Sequence, residues 1–317
     1  MKSLLMKLNN LQKLSGDASF RSFYRTDKSV IVFCKKEKNK NLLIYDAINK
    51  LLLKNKIKAP KLISNNYAKN YIEIEDLGDV KVTNFFKKNK KNIFSLYKKI
   101  IDILIRIQKI KNYKIKDFNK NFYIPKKYNK KILFDEAKLF VDWYLPNYFN
   151  KKNSKKVKKD FLEIFKKLLN KILLKSNVFT HRDFHISNIM IKNKELYLID
   201  SQDALIGNKA YDLASLIDDV RFNTSVLLKN KILNYYLKKQ NKKNLKKIIN
   251  DFKILSVLRN FKIIGIFNRL SIRDKKHQYL KMIPHAWKLI EERIKNDDNF
   301  SDLKLILKKY FPKKTKL

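Results

Sequence analysis

The chain has 317 residues, 44% of them hydrophobic, enough to bury the core of one large domain or two modest ones, so it reads as globular. Its net charge of +45 comes from 65 Lys and only nine Arg, scattered through every segment beside Asn and Ile. Such a field attracts polyanions, but a dedicated nucleic-acid reader favours the bidentate Arg fork, so the charge reads as compositional bias and argues against nucleic acid as the partner.

The opening MKSLLMKLNN lacks the apolar run of ~7 to 15 residues that a signal peptide needs, and no segment offers the ~18 apolar residues of a membrane span. A lone cysteine, Cys34, excludes an internal disulfide. A cytoplasmic, monomeric protein without a membrane span is expected.

Along the chain, SFRSFY and SVIVFC are short runs separated by the turn-like TDK and predict a hairpin. Leu42 to Lys54 has helical spacing. Pro60 and the pair Asn65 and Asn66 flank the short run KLIS, and YIEIE alternates with period two. After Gly78 the pattern changes to long helical segments, notably FSLYKKIIDILIRIQKI and ILFDEAKLFVDWYL. The tracts KKNKKN and KKNSKKVKKD read as solvated helix ends or loops. The expected fold is α+β, a small antiparallel-sheet lobe over 1–77 followed by a large, mainly helical lobe over 78–317. With only four glycines, Gly16, Gly78, Gly207 and Gly265, each answers a positive φ or a close approach, or marks an ordinary turn.

Functional groups concentrate in THRDFHISNIMIKNKELYLIDSQDA, from Thr180 to Ala204. NVFTH, NIMIK and ELYLID are short apolar runs, so the acids and the Asn between them stand at strand ends and on loops, where a rigid scaffold presents groups to substrate. Asp183 lies five residues before Asn188 and seventeen before Asp200. An amide oxygen and a carboxylate supply hard ligands for Mg²⁺, which keeps waters and takes phosphate oxygens, beside a second carboxylate left as a base. Phosphoryl transfer is the chemistry implied.

His181, Asp183 and Asn188 match H-x-D-x-x-x-x-N, and Asp200 matches the metal-binding Asp that follows it. This set resembles the protein-kinase-like fold in the branch of aminoglycoside and choline phosphotransferases. SGDASFRSFYR, IEDLGD, YNKKILFDEAKLFVDWYL, IDSQDALIGNKAYDLASLIDD and FKIIGIFNRLSIRD further resemble the bacterial amino-sugar anomeric kinases, which phosphorylate N-acetylmuramate and N-acetylglucosamine at the 1-hydroxyl in cell-wall recycling.

The resemblance implies a two-lobed kinase-like fold using ATP and Mg²⁺. It places adenine at the junction from Glu75 to Gly78, including Leu77, and Ser15, Gly16, Asp17 and Ser19 around the phosphates. Asn188 and Asp200 then hold Mg²⁺, Asp183 takes the acceptor proton, His181 and Arg182 position that loop, and Asp212 braces it. Phe33 stands where protein kinases carry a phosphate-binding Lys, with Lys35 and Lys36 beyond it, so which Lys serves is open. Arg21 and Arg25 share a strand face, and either neutralises phosphate charge or faces solvent.

Leu133, Glu136, Phe140 and Trp143 fall at i, i+3, i+7 and i+10 and are expected on one helix face. A carboxylate in that stripe needs a partner: sugar hydroxyls, with Trp143 giving its ring face, or a structural ion pair. Arg269 and Arg273, four apart on a helix, are candidates for a lactyl carboxylate. His185, His277 and His285 show no clear role. Alternatives are an aminoglycoside- or choline-like phosphotransferase with another hydroxyl acceptor, and a basic nucleic-acid or membrane-surface binding protein on a kinase-like scaffold.

Overall fold

The structure, a computed structural model, describes residues 11–14, 21–34, 40–89 and 92–314, the side chains of 151–153 excepted. Ser15, Gly16, Asp17, Ser19, Lys35 and Lys36 lie outside the described residues. Two compact units emerge, Met1–Lys126 with His185–Leu205 and Lys127–Phe184 with Ile206–Leu317. This division differs from a single cut after residue 77. The hairpin Ile189–Lys192/Glu195–Leu198 belongs with the first unit because its Ile191 N–H donates to the Val80 carbonyl at 2.7 Å and its Leu198 N–H to the Lys58 carbonyl at 2.9 Å.

In the first unit, β1 (Gln12–Leu14), β2 (Arg21–Arg25), β3 (Ser29–Cys34), β4 (Leu62–Asn66) and β5 (Tyr71–Glu75) form an antiparallel sheet in the order β1-β2-β3-β5-β4. The hairpin expected around TDK is β2 and β3, with the Thr26 N–H closing the turn on the Ser29 carbonyl. Its register sets Arg21, Phe23 and Arg25 opposite Cys34, Val32 and Val30. That face packs Val30, Val32 and Ile72 against Leu42 and Tyr45 of α1 (Asn41–Lys54), a cluster of interleaved β-branched and aromatic side chains. The edge strand β1, too short and exposed to carry an alternation signal, is an addition to the expected elements. Asn65 and Asn66 lie inside β4 rather than after it, and Asn66 caps the next turn by accepting from the Lys69 N–H. Helices α2 (Val82–Lys88) and α3 (Ile93–Gln108) follow.

The second unit holds α4 (Lys130–Leu139), α5 (Lys151–Asn170), α6 (Lys209–Ile217), α7 (Val226–Lys238), α8 (Leu245–Asp274), α9 (Ile283–Ile294) and α10 (Ser301–Tyr310). Asn129 starts α4 by accepting from the Ile132 N–H at 3.0 Å, a side-chain N-cap. The helix does not run unbroken to Leu145: a π turn, Phe140–Tyr144, replaces its end. The tract KKNSKKVKKD is the first half of α5 rather than a loop. Val157 begins the buried register that continues through Phe161, Ile164, Phe165 and Leu168, so one apolar position per turn carries the helix through the lysines. Phe140 sits in an aromatic core, its ring centroid 4.8 Å from Phe261 and 5.0 Å from Phe161. No helix among the described residues is long and apolar enough to cross a membrane.

Candidate active site

In the first unit a cavity of about 430 Å³ has apolar walls from Phe23, Val30, Ile74, Leu77 and Ile199, and a polar margin that includes Asn188 and Asp200. Gly78, at φ 74, lets the chain turn at the cavity edge, and its N–H donates to Asp76 Oδ1 at 2.8 Å. Arg25 fastens the same turn. It binds Asp79 at 2.8 Å and Asp76 at 2.7 Å, and these two bonds, Asp79 first, raise its pKa above the ordinary guanidinium value. Lys192 takes the Glu75 carboxylate at 2.6 Å and the Asp76 carbonyl at 2.8 Å. Thus Glu75 and Leu77 both line the cavity, while the Glu75 side chain already has a cationic partner.

Asn188 and Asp200 meet through the backbone, where the Ile199 N–H donates to the Asn188 carbonyl at 3.0 Å. Asp200 adopts φ 64, a conformation that costs a non-glycine residue about 1 to 3 kcal/mol and persists only where its surroundings enforce it. The enforcement is visible next door: the Ser201 hydroxyl donates to the buried Asn49 side chain of α1 at 2.6 Å. Arg21, whose side chain is 2% exposed, pairs with Asp200 while stacking over the Tyr45 ring at 5.0 Å. Two oxygen donors beside a cavity suit a divalent cation that draws its other ligands from phosphate and water.

The second unit carries Asp183. After the strand Val178–Thr180, the His181 and Arg182 N–H groups donate to Asp212 Oδ2 and Oδ1 at 2.6 and 3.0 Å. Arg182 takes φ 72, so this forked acceptor holds a backbone kink next to Asp183. Burial pushes the Asp212 pKa up to about 7; the two N–H donors oppose that shift, and the nearby Asp183 charge adds to it. His181 is fully buried, with its ring 6.1 Å from Phe184.

Glu136 accepts from the Tyr128 hydroxyl, from Arg182 Nη2 and from Lys262 Nζ, the last at 3.0 Å. Burial alone would raise its pKa, but Lys262 and Arg182 outweigh it and the carboxyl is held below its ordinary value. Of the two partners open from the sequence, sugar hydroxyls or an ion pair, Glu136 has the ion pair. Glu136 and Trp143 are both half-buried, beside rather than within the buried line of the helix. The π turn adds residues per turn, so the buried line runs Leu133, Ala137, Phe140, Val141 and Tyr144, leaving Trp143 half-buried beside it.

Arg269 and Arg273 both lie on α8. Exposed Arg273 forks onto Asp274 at 2.8 and 2.9 Å, whereas half-buried Arg269 has its pKa lowered by burial and then by Arg273. The ring nitrogens of His277 and His285 have local partners, Ser271 Oγ at 2.8 Å and the Val220 carbonyl at 2.9 Å. His185 packs in the first unit, its carbonyl accepting from the Asn188 N–H at 2.9 Å.

Sequence reasoning passed over Lys262, although it is a charge inside the apolar run FKIIGIF three residues before a helical glycine. It also passed over Asp218, fully paired with Arg293 at 2.7 Å, whose pKa is lowered to about 2 because Arg293 and Lys229 outweigh burial.

A five-stranded antiparallel sheet followed by a predominantly helical part is a protein-kinase-like fold. It aligns over 97% of this chain and 99% of a choline/ethanolamine kinase family protein from Mesorhizobium loti, with a TM-score of 0.63 and 10% identity. It aligns over 92% of this chain and 96% of the ADP-bound aminoglycoside phosphotransferase APH(2'')-Ib, with a TM-score of 0.61 and 15% identity. The model of the APH phosphotransferase enzyme family matches residues 10–246, and the chain belongs to that family. It is a phosphotransferase. Among curated relatives it is 26% identical over 298 residues to the N-acetylmuramate/N-acetylglucosamine kinase of Pseudomonas aeruginosa, covering 91% of this chain and 85% of that protein. It is 24% identical over 304 residues to the protein of the same name from Pseudomonas putida, covering 93% and 86%.

Proposed function

We propose that the chain transfers the γ-phosphoryl group of Mg·ATP to the anomeric hydroxyl of an N-acetyl amino sugar, N-acetylglucosamine or N-acetylmuramate, in the cytoplasm. The observation that carries the reading is the presence of Asp183, Asn188 and Asp200 at the motif's spacing, together with relatives of that name matched over most of their length. The cavity edged by Asn188 and Asp200 receives the nucleotide, its apolar walls at Phe23, Val30 and Leu77 taking the flat base. Asn188 and Asp200 would hold a divalent cation, which would supply positive charge to the phosphate oxygens. Asp183 orients the sugar hydroxyl and accepts its proton as the bond to phosphorus forms and ADP departs. Asp212 holds the backbone that presents Asp183, and Arg21 and Arg25 supply positive charge at the nucleotide cavity.

Purified protein with ATP and Mg²⁺ should consume ATP with either amino sugar at millimolar concentration and give a sugar 1-phosphate detectable by phosphorus NMR. Choline, an aminoglycoside and homoserine serve as rival acceptors. Turnover with one of these and none with either sugar would sink the anomeric reading and leave the kinase assignment standing.

A further inference from the structure

Gly265 sets the geometry of a group that the motif does not contain. A Cβ there would lie 2.2 Å from the Leu139 carbonyl carbon and 2.5 Å from the Phe140 nitrogen, so α8 meets the end of α4 backbone to backbone. Three residues earlier on each helix stand Lys262 and Glu136, and Lys262 Nζ reaches Glu136 Oε2 at 3.0 Å. The second oxygen of that carboxylate holds Arg182, the residue before Asp183. Glu136, only 13% exposed, is therefore an anchor for two cations, and Tyr128 adds a third donor.

The cluster reaches the catalytic loop through Arg182, which precedes Asp183 in the chain. Burial works against the charge on both Arg182 and Lys262, Glu136 restores it, and Asp183 acts on each in the same direction as Glu136. Lys262 also reaches the Tyr211 hydroxyl at 3.3 Å, and Tyr211 adjoins Asp212 in sequence, the acceptor of the kinked backbone. A lysine required only for packing has no reason to be buried at this register, since burying an ammonium is costly unless it is paired.

We propose that Lys262 is a positioning residue for phosphoryl transfer: paired with Glu136, it fixes the carboxylate that holds the Arg182 side chain, and through Arg182 the loop that presents Asp183 to the acceptor's proton. The proposal rests on Asp183 being the base, the reading given above.

The test measures kcat and KM with N-acetylglucosamine, acceptor-independent ATP hydrolysis, Mg·ATP affinity and melting temperature for the parent, Lys262→Met and Lys262→Arg. Lys262→Met should lose about 10- to 100-fold in kcat, the scale of a mispositioned reacting group, with Mg·ATP affinity within about threefold of the parent. Lys262→Arg, which keeps the cation, should recover most of the loss. Unchanged kcat per folded molecule in Lys262→Met overturns the proposal, as does an Arg variant equally impaired in kcat and as stable as the parent. Should Lys262→Met fail to fold, Glu136→Gln, which removes the anchor but keeps the lysine, must show the kcat loss, and a normal kcat there overturns the proposal. A parent that hydrolyses ATP but phosphorylates no amino sugar defeats the substrate reading alone, and the Lys262 comparison is then made on hydrolysis.

Discussion

The two units place their functional carboxylates in opposite circumstances. In the first, Asp200 has a side chain 36% exposed and, among the described residues, one cationic partner, Arg21, which also rests on the Tyr45 ring. In the second, Glu136 is 13% exposed and bound by Lys262, Arg182 and Tyr128. A carboxylate open to solvent can take a further ligand on its exposed side while keeping its cation, whereas a buried carboxylate with three donors cannot release any of them without leaving charge unpaired. The first arrangement suits a ligand that comes and goes, the second a frame that must not move during chemistry.

The largest effect is expected where the frame meets the reaction. Asp183→Asn should keep Mg·ATP binding yet lose about 10² to 10⁴ in turnover, the range for removing a positioned base. Asp200→Ala should weaken Mg·ATP binding as well, and nucleotide titration of the two variants separates them. Equal nucleotide affinity in both would erase the functional contrast between the units.

Next comes the frame itself. Glu136→Gln leaves Lys262 and Arg182 facing a neutral amide, and removing one partner of a buried ion pair costs about 3 to 5 kcal/mol. A denaturant melt should register that loss while KM for ATP stays near the parent value. A stable variant with a tenfold higher sugar KM would restore Glu136 as a sugar ligand instead.

A smaller effect follows from Asp212. Its folded pKa of about 7 lies above the unfolded value of about 3.9, so the folded state binds the extra proton in that interval. The sign is therefore loss of stability as pH rises from about 4 through about 7, amounting to about 1 to 2 kcal/mol between pH 5 and 7. Asp212→Asn removes this dependence, so melting curves of parent and variant across that range should diverge in slope. Parallel slopes would mean that Asp212 does not titrate there.

The smallest change is expected from Arg21→Met. Methionine fills the space against Tyr45 and Phe23, and Asp200 keeps its solvent, so stability should shift by less than about 1 kcal/mol. A loss as large as that of Glu136→Gln would show that the two carboxylates are held alike.

Much of this was legible from residues alone. Period-two alternation located β5 at YIEIE, and the TDK turn located the hairpin of β2 and β3, because both signals are local. The apolar runs NVFTH, NIMIK and ELYLID set Asp183, Asn188 and Asp200 at strand ends and on loops for the same reason. Local signals failed at ILFDEAKLFVDWYL, where uniform helical spacing predicted an unbroken helix. The π turn that interrupts it begins at Phe140, where the backbone of α8 meets α4 at Gly265.

The sequence by itself determined most of the element types and the kinase-like class, since these depend on residue identity and on separations of a few positions. Only the tertiary structure decided which charges are partners. Arg21 with Asp200 spans 179 positions and Arg182 with Glu136 spans 46, and no periodicity connects them. Such pairs form because folding brings desolvated charges together and each must then be neutralised, a requirement that the chain meets in three dimensions and does not announce in one.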